Sequence, residues 1–318
     1  RHEPMLIDGA WTDGSAREAI TVLNPGNRKP IASVPRGGAQ DVDTAVKAAQ
    51  AAFPAWSKVA PRDRGRILSK IADVIESRVE ELARIIAEET GNALKTQARP
   101  EAKGASEIFR YFGGLGSELK GESVPFNPDV LSVTVREPLG VVGAIIPWNV
   151  PMLLMALKVA PALVAGNAVI VKSAEEAPLA VLRICELLNR VLPPGLFNIL
   201  SGYGPECGAP LVEHSKVRKV TFTGSVEVGR IVATAAAKKL IPVTLELGGK
   251  SPMIVFDDID LARAVDGAVT SMRFTRQGQS CTAASRIYVH EKVFDAFAEA
   301  LAKRVDAMVM GDPLDEKT

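Results

Sequence analysis

Three residues far apart in the sequence carry side chains suited to carbonyl chemistry. They are a cysteine in RQGQSCTAAS (276–285), a glutamate in LELGG (245–249) and an asparagine in PWN (147–149). Cys281 has polar and glycine residues before it and small residues after it, whereas a buried cysteine usually sits in an apolar run. Four roles are open to it: core filler, metal ligand, half of a disulfide, or nucleophile. Only Cys185 and Cys207 accompany it. Three widely spaced cysteines make no disulfide framework and fit a reducing, cytoplasmic setting. The histidines, His2, His214 and His290, are scattered, so no metal site is expected. A thiolate attacks a carbonyl carbon without a metal; a nucleophile and an inert thiol both stay open at this point.

Glu246 lies between leucines in a strand-like run. If that sheet is covered on both faces, a carboxylate there wants a partner or a job. Partial burial would raise its pKa toward that of a base useful near neutrality. Asn149 follows the apolar run VVGAII and could donate an amide N–H to a developing oxyanion, or be a turn asparagine.

Other strand ends carry weaker signals. Lys172 ends NAVIVK, with Glu175 three residues on; the pair could meet a ribose, and Glu175 would repel a 2′-phosphate. SGYGPECG (201–208) has glycines spaced G-x-G-x-x-x-G, one residue too long for a dinucleotide fingerprint. In FTGSVEVG (222–229), Gly224 and Ser225 open a helix whose free N–H groups could hold a phosphate, while Gly229 permits close packing. Ser225 as an ordinary N-cap is compatible with that role.

The elements that must position these residues follow from periodicity. Short strands and turns are expected over 5–35, a helix over 41–52, one long helix over 61–89 capped by Gly91, another helix over 100–119, and an exposed strand over 131–139. After Gly140, apolar strands alternate with helices at about 152–165, 178–191, 205–213 and 226–239. That predicts a Rossmann-like α/β fold with a parallel sheet, whose ligands sit beyond the carboxyl ends of the strands. From Ser251 a further α/β pattern begins. The expected division is 1–250 and 251–318. Hydrophobic content of 47% and a net charge of +1 describe an ordinary soluble chain without a general nucleic-acid footprint. The most apolar run, 152–166, contains Lys158 and Pro161 and is too short to span a membrane.

Taken together, IIPWNVP, VIVKSAEEAP, SGYGPECG, FTGSVEVG, LELGGKSP and GQSCTAA, in this order and spacing, closely resemble the NAD(P)-dependent aldehyde dehydrogenase superfamily. The resemblance implies that Cys281 is the nucleophile and Glu246 the general base. It also implies that Asn149 forms the oxyanion hole with the cysteine's own N–H. Lys172 and Glu175 match the adenosine-ribose pair, and Gly224, Ser225 and Gly229 the pyrophosphate-facing helix start. Trp148, Gly204 and Pro205 match positions lining the cofactor cleft, with NAD expected and NADP an alternative. Residues 1–250 then correspond to the cofactor domain, with part of an oligomerisation element near 122–140 and a homodimer or homotetramer expected. Residues 251–318 correspond to the start of a catalytic domain.

The glutamate implies the hydrolytic type, with a CoA-acylating or esterase-type relative, or a non-catalytic binding fragment of the same fold, as alternatives. Val150, Leu154 and Leu157 match tunnel positions and suggest an apolar channel. Two features depart from the pattern: Arg276 stands where an asparagine is common, and Ser280 precedes the nucleophile where some relatives have another cysteine. The family's stretch EIFGP does not occur, so the 318 residues are expected to be part of a longer protein and to be inactive alone.

Overall fold

Residues 1–16 and 18–318 are described by a computed structural model. The chain opens with β1 (Met5–Ile7), β2 (Ala10–Thr12), β3 (Ala19–Leu23) and β4 (Pro30–Pro35). Four helices follow: α1 (Ala39–Ser57), α2 (Pro61–Glu76), α3 (Val79–Thr90) and α4 (Arg99–Gly114). A hairpin of β5 (Ser123–Asn127) and β6 (Val130–Val133) stands apart from the main sheet. The alternating region then contributes β7 (Val141–Ile145), α5 (Pro151–Val164), β8 (Ala168–Lys172), α6 (Leu179–Asn189) and β9 (Phe197–Leu200). It continues with α7 (Ala209–Glu213), β10 (Val217–Gly224), α8 (Val226–Lys238) and β11 (Val243–Leu247). Last come β12 (Pro252–Val255), α9 (Leu261–Ser271), β13 (Arg286–Val289) and α10 (Phe294–Asp306).

The main sheet has the order β11-β10-β7-β8-β9-β1-β2. Its five strands from β11 to β9 are parallel, and β1 and β2 add an antiparallel edge. The first strand of the alternating region, β7, is therefore central, and the chain winds outward from it in both directions. Between β7 and β10 the winding reverses, and such a reversal opens a crevice at the strand ends. β7 and β8 are buried almost throughout, as strands covered on both faces should be. The apolar core falls into two clusters: one around the large sheet, and a smaller one formed by Val255, Ala264, Val265, Ala268 and Phe297.

Three expectations are corrected. The long helix over 61–89 is two helices, broken at Ser77 and Arg78. Buried apolar side chains of α2 end at Ile75 and those of α3 begin at Leu82, a seven-residue step that keeps helical spacing and so hides the break. The exposed strand stops at Val133, short of Pro138, which has no N–H for a ladder. The expected covering of the sheet on both faces fails at β11. This edge strand alternates half-buried and exposed residues, with Thr244 and Glu246 on its open side.

Gly91 does end α3, at φ 75°. Two residues earlier, Glu89 is buried, and its carboxylate accepts the N–H groups of Leu179 (2.6 Å) and Ala180 (2.9 Å) at the start of α6. Glu89→Leu should cost about 3 kcal/mol, because two buried N–H groups lose their acceptor. Burial pushes Glu89 up to about 8, against the pull of those N–H groups. A raised carboxylate holds its proton in the folded state only, so its contribution to stability is present below about 4.5 and is lost as pH rises through about 8. Denaturant midpoints of Glu89→Gln should show less of that decline.

Candidate active site

The crevice between β7 and β10 holds a cleft of about 380 Å³, lined by Pro147, Trp148, Asn149, Thr223, Gly224, Ser225, Gly248, Gly249, Gln279, Ser280 and Cys281. That volume suits part of a small organic ligand. Three strand ends (β7, β10, β11) and the cysteine loop supply its walls.

Cys281 is exposed, whereas Cys185 and Cys207 are buried, and all three are free thiols. Of the roles open to Cys281, core filler and disulfide fall away. Among the described residues no group of three or more His, Cys, Asp or Glu side chains is arranged to hold a metal. The loop before the cysteine is tied to the body of the protein. The Gln277 amide donates to the Gly91 carbonyl, and the Asn149 Nδ2 donates to the Gln279 carbonyl (3.0 Å). Asn149 itself is anchored by its own carbonyl, which accepts from Asn92 Nδ2 (3.0 Å). An amide nitrogen has two N–H donors, so the contact to Gln279 leaves one for a substrate oxygen.

Glu246 does not line the cleft. Gly248 and Gly249, which follow it in the chain, do, and a Cβ on Gly249 would lie 3.8 Å from the Cys281 carbonyl. The expected partial burial of Glu246 is corrected: the carboxylate is exposed, because nothing covers that face of β11. It has no hydrogen-bond or ion-pair partner among the described residues.

Two neighbours of Glu246 escaped the sequence reading. Thr223, its register partner on β10, is buried with an unpartnered Oγ1 at the cleft wall. Lys158, on α5, is buried and donates to Thr221 Oγ1 (3.1 Å) on the same face. Burial pushes its ammonium group down to about 8, partly offset by the charge of Glu246 and reinforced by Lys219. The signal in the sequence is a single lysine inside the apolar run 152–166. The unfolded chain keeps this proton to about 10.5, whereas the folded chain gives it up near 8. Stability should therefore rise with pH between those values. Lys158→Met should flatten the rise, as measured by denaturant midpoints between pH about 8 and 10.5.

Lys172 and Glu175 meet each other, Nζ to Oε2 at 2.7 Å, with Lys172 buried and Glu175 partly open. Ser225 caps α8 by accepting from the Val228 N–H (3.2 Å), which leaves the N–H groups nearest the cleft free. At Gly229 a Cβ would lie 2.6 Å from Leu247 Cδ2, so glycine lets α8 pack on β11 without displacing that side chain. Gly204 and Pro205 open a wide helical turn after β9, at the same end of the sheet but outside the cleft lining.

A parallel sheet with a cleft at its reversal, walled by an exposed thiol and an amide, defines an α/β protein of the doubly wound kind. Residues 11–318 match the model of the aldehyde dehydrogenase family, and the chain belongs to that family. It is 42% identical over 316 residues to aldehyde dehydrogenase family 2 member B4, mitochondrial, of Arabidopsis thaliana, covering 98% of this chain and 59% of that protein. To the phenylacetaldehyde dehydrogenase of Pseudomonas fluorescens it is 42% identical over 321 residues, covering 98% and 64%. The NAD+ complex of a Bacillus cereus aldehyde dehydrogenase superposes with a TM-score of 0.97 at 34% identity, covering all of this chain and 65% of that one. The chain thus spans about three-fifths of the length of the curated relatives it matches. No helix among the described residues is long and apolar enough to cross a membrane.

Proposed function

We propose that the full-length protein oxidises an aldehyde to a carboxylate through a thioester on Cys281. The observation that carries the reading is the cleft itself, which gathers Asn149, Gln279 and Cys281 from distant parts of the chain at the reversal point of the sheet. The thiolate of Cys281 attacks the aldehyde carbon. The free N–H of Asn149 and the backbone N–H of Cys281 stabilise the oxyanion that forms. NAD, when bound, supplies the acceptor for the hydride that the resulting thiohemiacetal carbon gives up. Glu246 takes a proton from water, and the hydroxide so formed hydrolyses the thioester, freeing the thiol. Its openness to solvent gives it water, and the two glycines after it give the strand end freedom to bring it near the cleft. Lys158, beside it on the same face, is placed to exchange that proton.

The residues fit NAD. Free N–H groups at the start of α8, after Gly224 and Ser225, suit the pyrophosphate. Lys172 and Glu175 offer a donor and an acceptor to a ribose, and Glu175 disfavours a 2′-phosphate, so NAD is the preferred cofactor and NADP the lesser one. Trp148 lines the cleft, and Gly204 and Pro205 stand at the same end of the sheet. Residues 1–250 serve as the cofactor domain and 251–318 as the start of the catalytic domain. The aldehyde is apolar, aliphatic or aromatic: Val150 is buried, Leu154 half-buried and Leu157 exposed along the first turns of α5. The exposed apolar side chains of the β5–β6 hairpin, among them Phe126 and Leu131, suit an interface between copies in a homodimer or homotetramer. Three free thiols suit the cytoplasm.

The test is NADH formation by the full-length protein across a panel of apolar aldehydes, with and without CoA. CoA-independent turnover to the free acid supports the hydrolytic reading. Turnover only with CoA, or none on any aldehyde by protein whose thiol is free, contradicts it.

A further inference from the structure

We propose that Arg276 and Glu101 form a charge couple beneath the cleft that locks the segment leading to Cys281 onto the first turn of α5, and so sets the thiol relative to Asn149. Both are positioning residues, and the role rests on the reading of Cys281 as nucleophile. Glu101, on α4, is buried, and its Oε1 accepts the N–H groups of Met152 (3.0 Å) and Leu153 (3.4 Å). Those groups open the helix that begins just after Asn149. The other oxygen, Oε2, is buried without a hydrogen-bond partner, and so is Nε of Arg276. The turn Phe274–Arg276 packs against Leu94–Ala98, the turn that leads into α4. An orphaned cationic donor thus lies on a turn packed against the start of the helix that carries an orphaned anionic acceptor, and each orphan alone would be costly to bury.

The electrostatics agree. Burial pushes Glu101 up to about 8, while the N–H groups of Leu153 and Met152, then the charge of Arg276, then Gln97 pull it down. Burial and Arg273 push Arg276 down, while Glu101 and Cys281 pull it up; a guanidinium stays charged in either case. The loop also needs holding. Arg273 (φ 59°) and Gln277 (φ 51°), on either side of the turn, are left-handed without being glycine, a state that persists only where neighbours over-determine it. Gln277 to Gly91 and Asn149 to Gln279 are two such restraints. The charge couple is the third, and it reaches the loop through the carboxylate that accepts the first N–H groups of α5.

The test is a double-mutant cycle in the full-length protein with Arg276→Asn, Glu101→Gln and the pair. Glu101→Gln keeps the acceptor for α5 and removes only the charge, so it preserves the fold. Each single change should lower kcat about tenfold, as a misplaced reacting group does, with KM for NAD unchanged. Each should also change the rate at which iodoacetamide alkylates Cys281, read by mass spectrometry without cofactor or aldehyde. The double variant should be no worse than the worse single one, and Arg276→Lys should recover most of the loss. Losses that multiply in the double variant, or wild-type kcat in Arg276→Asn, overturn the couple. If Cys281→Ala retains turnover, the nucleophile reading fails instead, and the two failures are told apart.

Discussion

Replacing Cys281 with alanine in the full-length protein is expected to reduce aldehyde-dependent NADH formation by about 10⁴-fold or more, the scale on which a covalent mechanism loses rate with its nucleophile. Access and chemistry both single out this sulfur. Cys281 is the exposed thiol, at the wall of the cleft. Cys185 is sealed in α6, where burial pushes its thiol well up. Burial likewise pushes Cys207 up to about 12. Neither can supply a thiolate near neutral pH, so neither can substitute. Cofactor binding should survive the change, because Lys172, Glu175 and the start of α8 lie on other strand ends. Titration of NAD by quenching of Trp148 fluorescence checks this. Loss of binding together with loss of turnover would mean that the variant had misfolded rather than lost its nucleophile.

Glu246→Gln is expected to slow steady-state turnover by about 10²- to 10³-fold, the usual worth of a general base. The loss should fall on hydrolysis more than on acylation, so a burst of NADH close to one per site should remain. Glutamine keeps the shape of the side chain on an open face of β11, so stability should change little; surface changes are usually within about 0.5 kcal/mol. A burst lost in proportion to the steady rate would instead give Glu246 a part in thiol attack.

Much of the architecture could be read from residue order because its causes are local. Runs such as NAVIVK and FNIL are buried on both faces, and the alternation of such runs with helices admits few topologies. The reversal between β7 and β10 was not written in any one segment, since it is a matter of which strands pair, yet it decides where the cleft lies. Errors came where a neighbour was assumed. Glu246 was expected to be partly buried because a central strand would be covered, but β11 is the edge of the sheet. The helix over 61–89 was read as one because the apolar spacing hardly falters at Ser77, where only the direction of the chain changes.

For the candidate site, Trp148, Asn149, Gly224, Ser225 and Cys281 can be singled out from their motifs and line one cleft, whereas their supports cannot be read from any motif. Cys281, Asn149 and the start of α8 have short signatures that the chain keeps together. Lys158 and Thr223 matter through the face they share with Glu246, which requires the register of β10 and β11. Glu101 lies some fifty residues before the helix it holds. Its unpaired oxygen gives Arg276, a departure from the usual pattern, a physical reason that sequence alone did not supply.

The central claim is a covalent thioester on one named sulfur, and it can be seen directly. Full-length Glu246→Gln protein is mixed with NAD and an apolar aldehyde, quenched in acid within the burst, and digested with trypsin. The account predicts an acyl mass increment on the peptide 277–286, carried by Cys281 and absent when NAD is omitted. An unmodified peptide during a full burst of NADH, or an increment on Cys185 or Cys207, would contradict it.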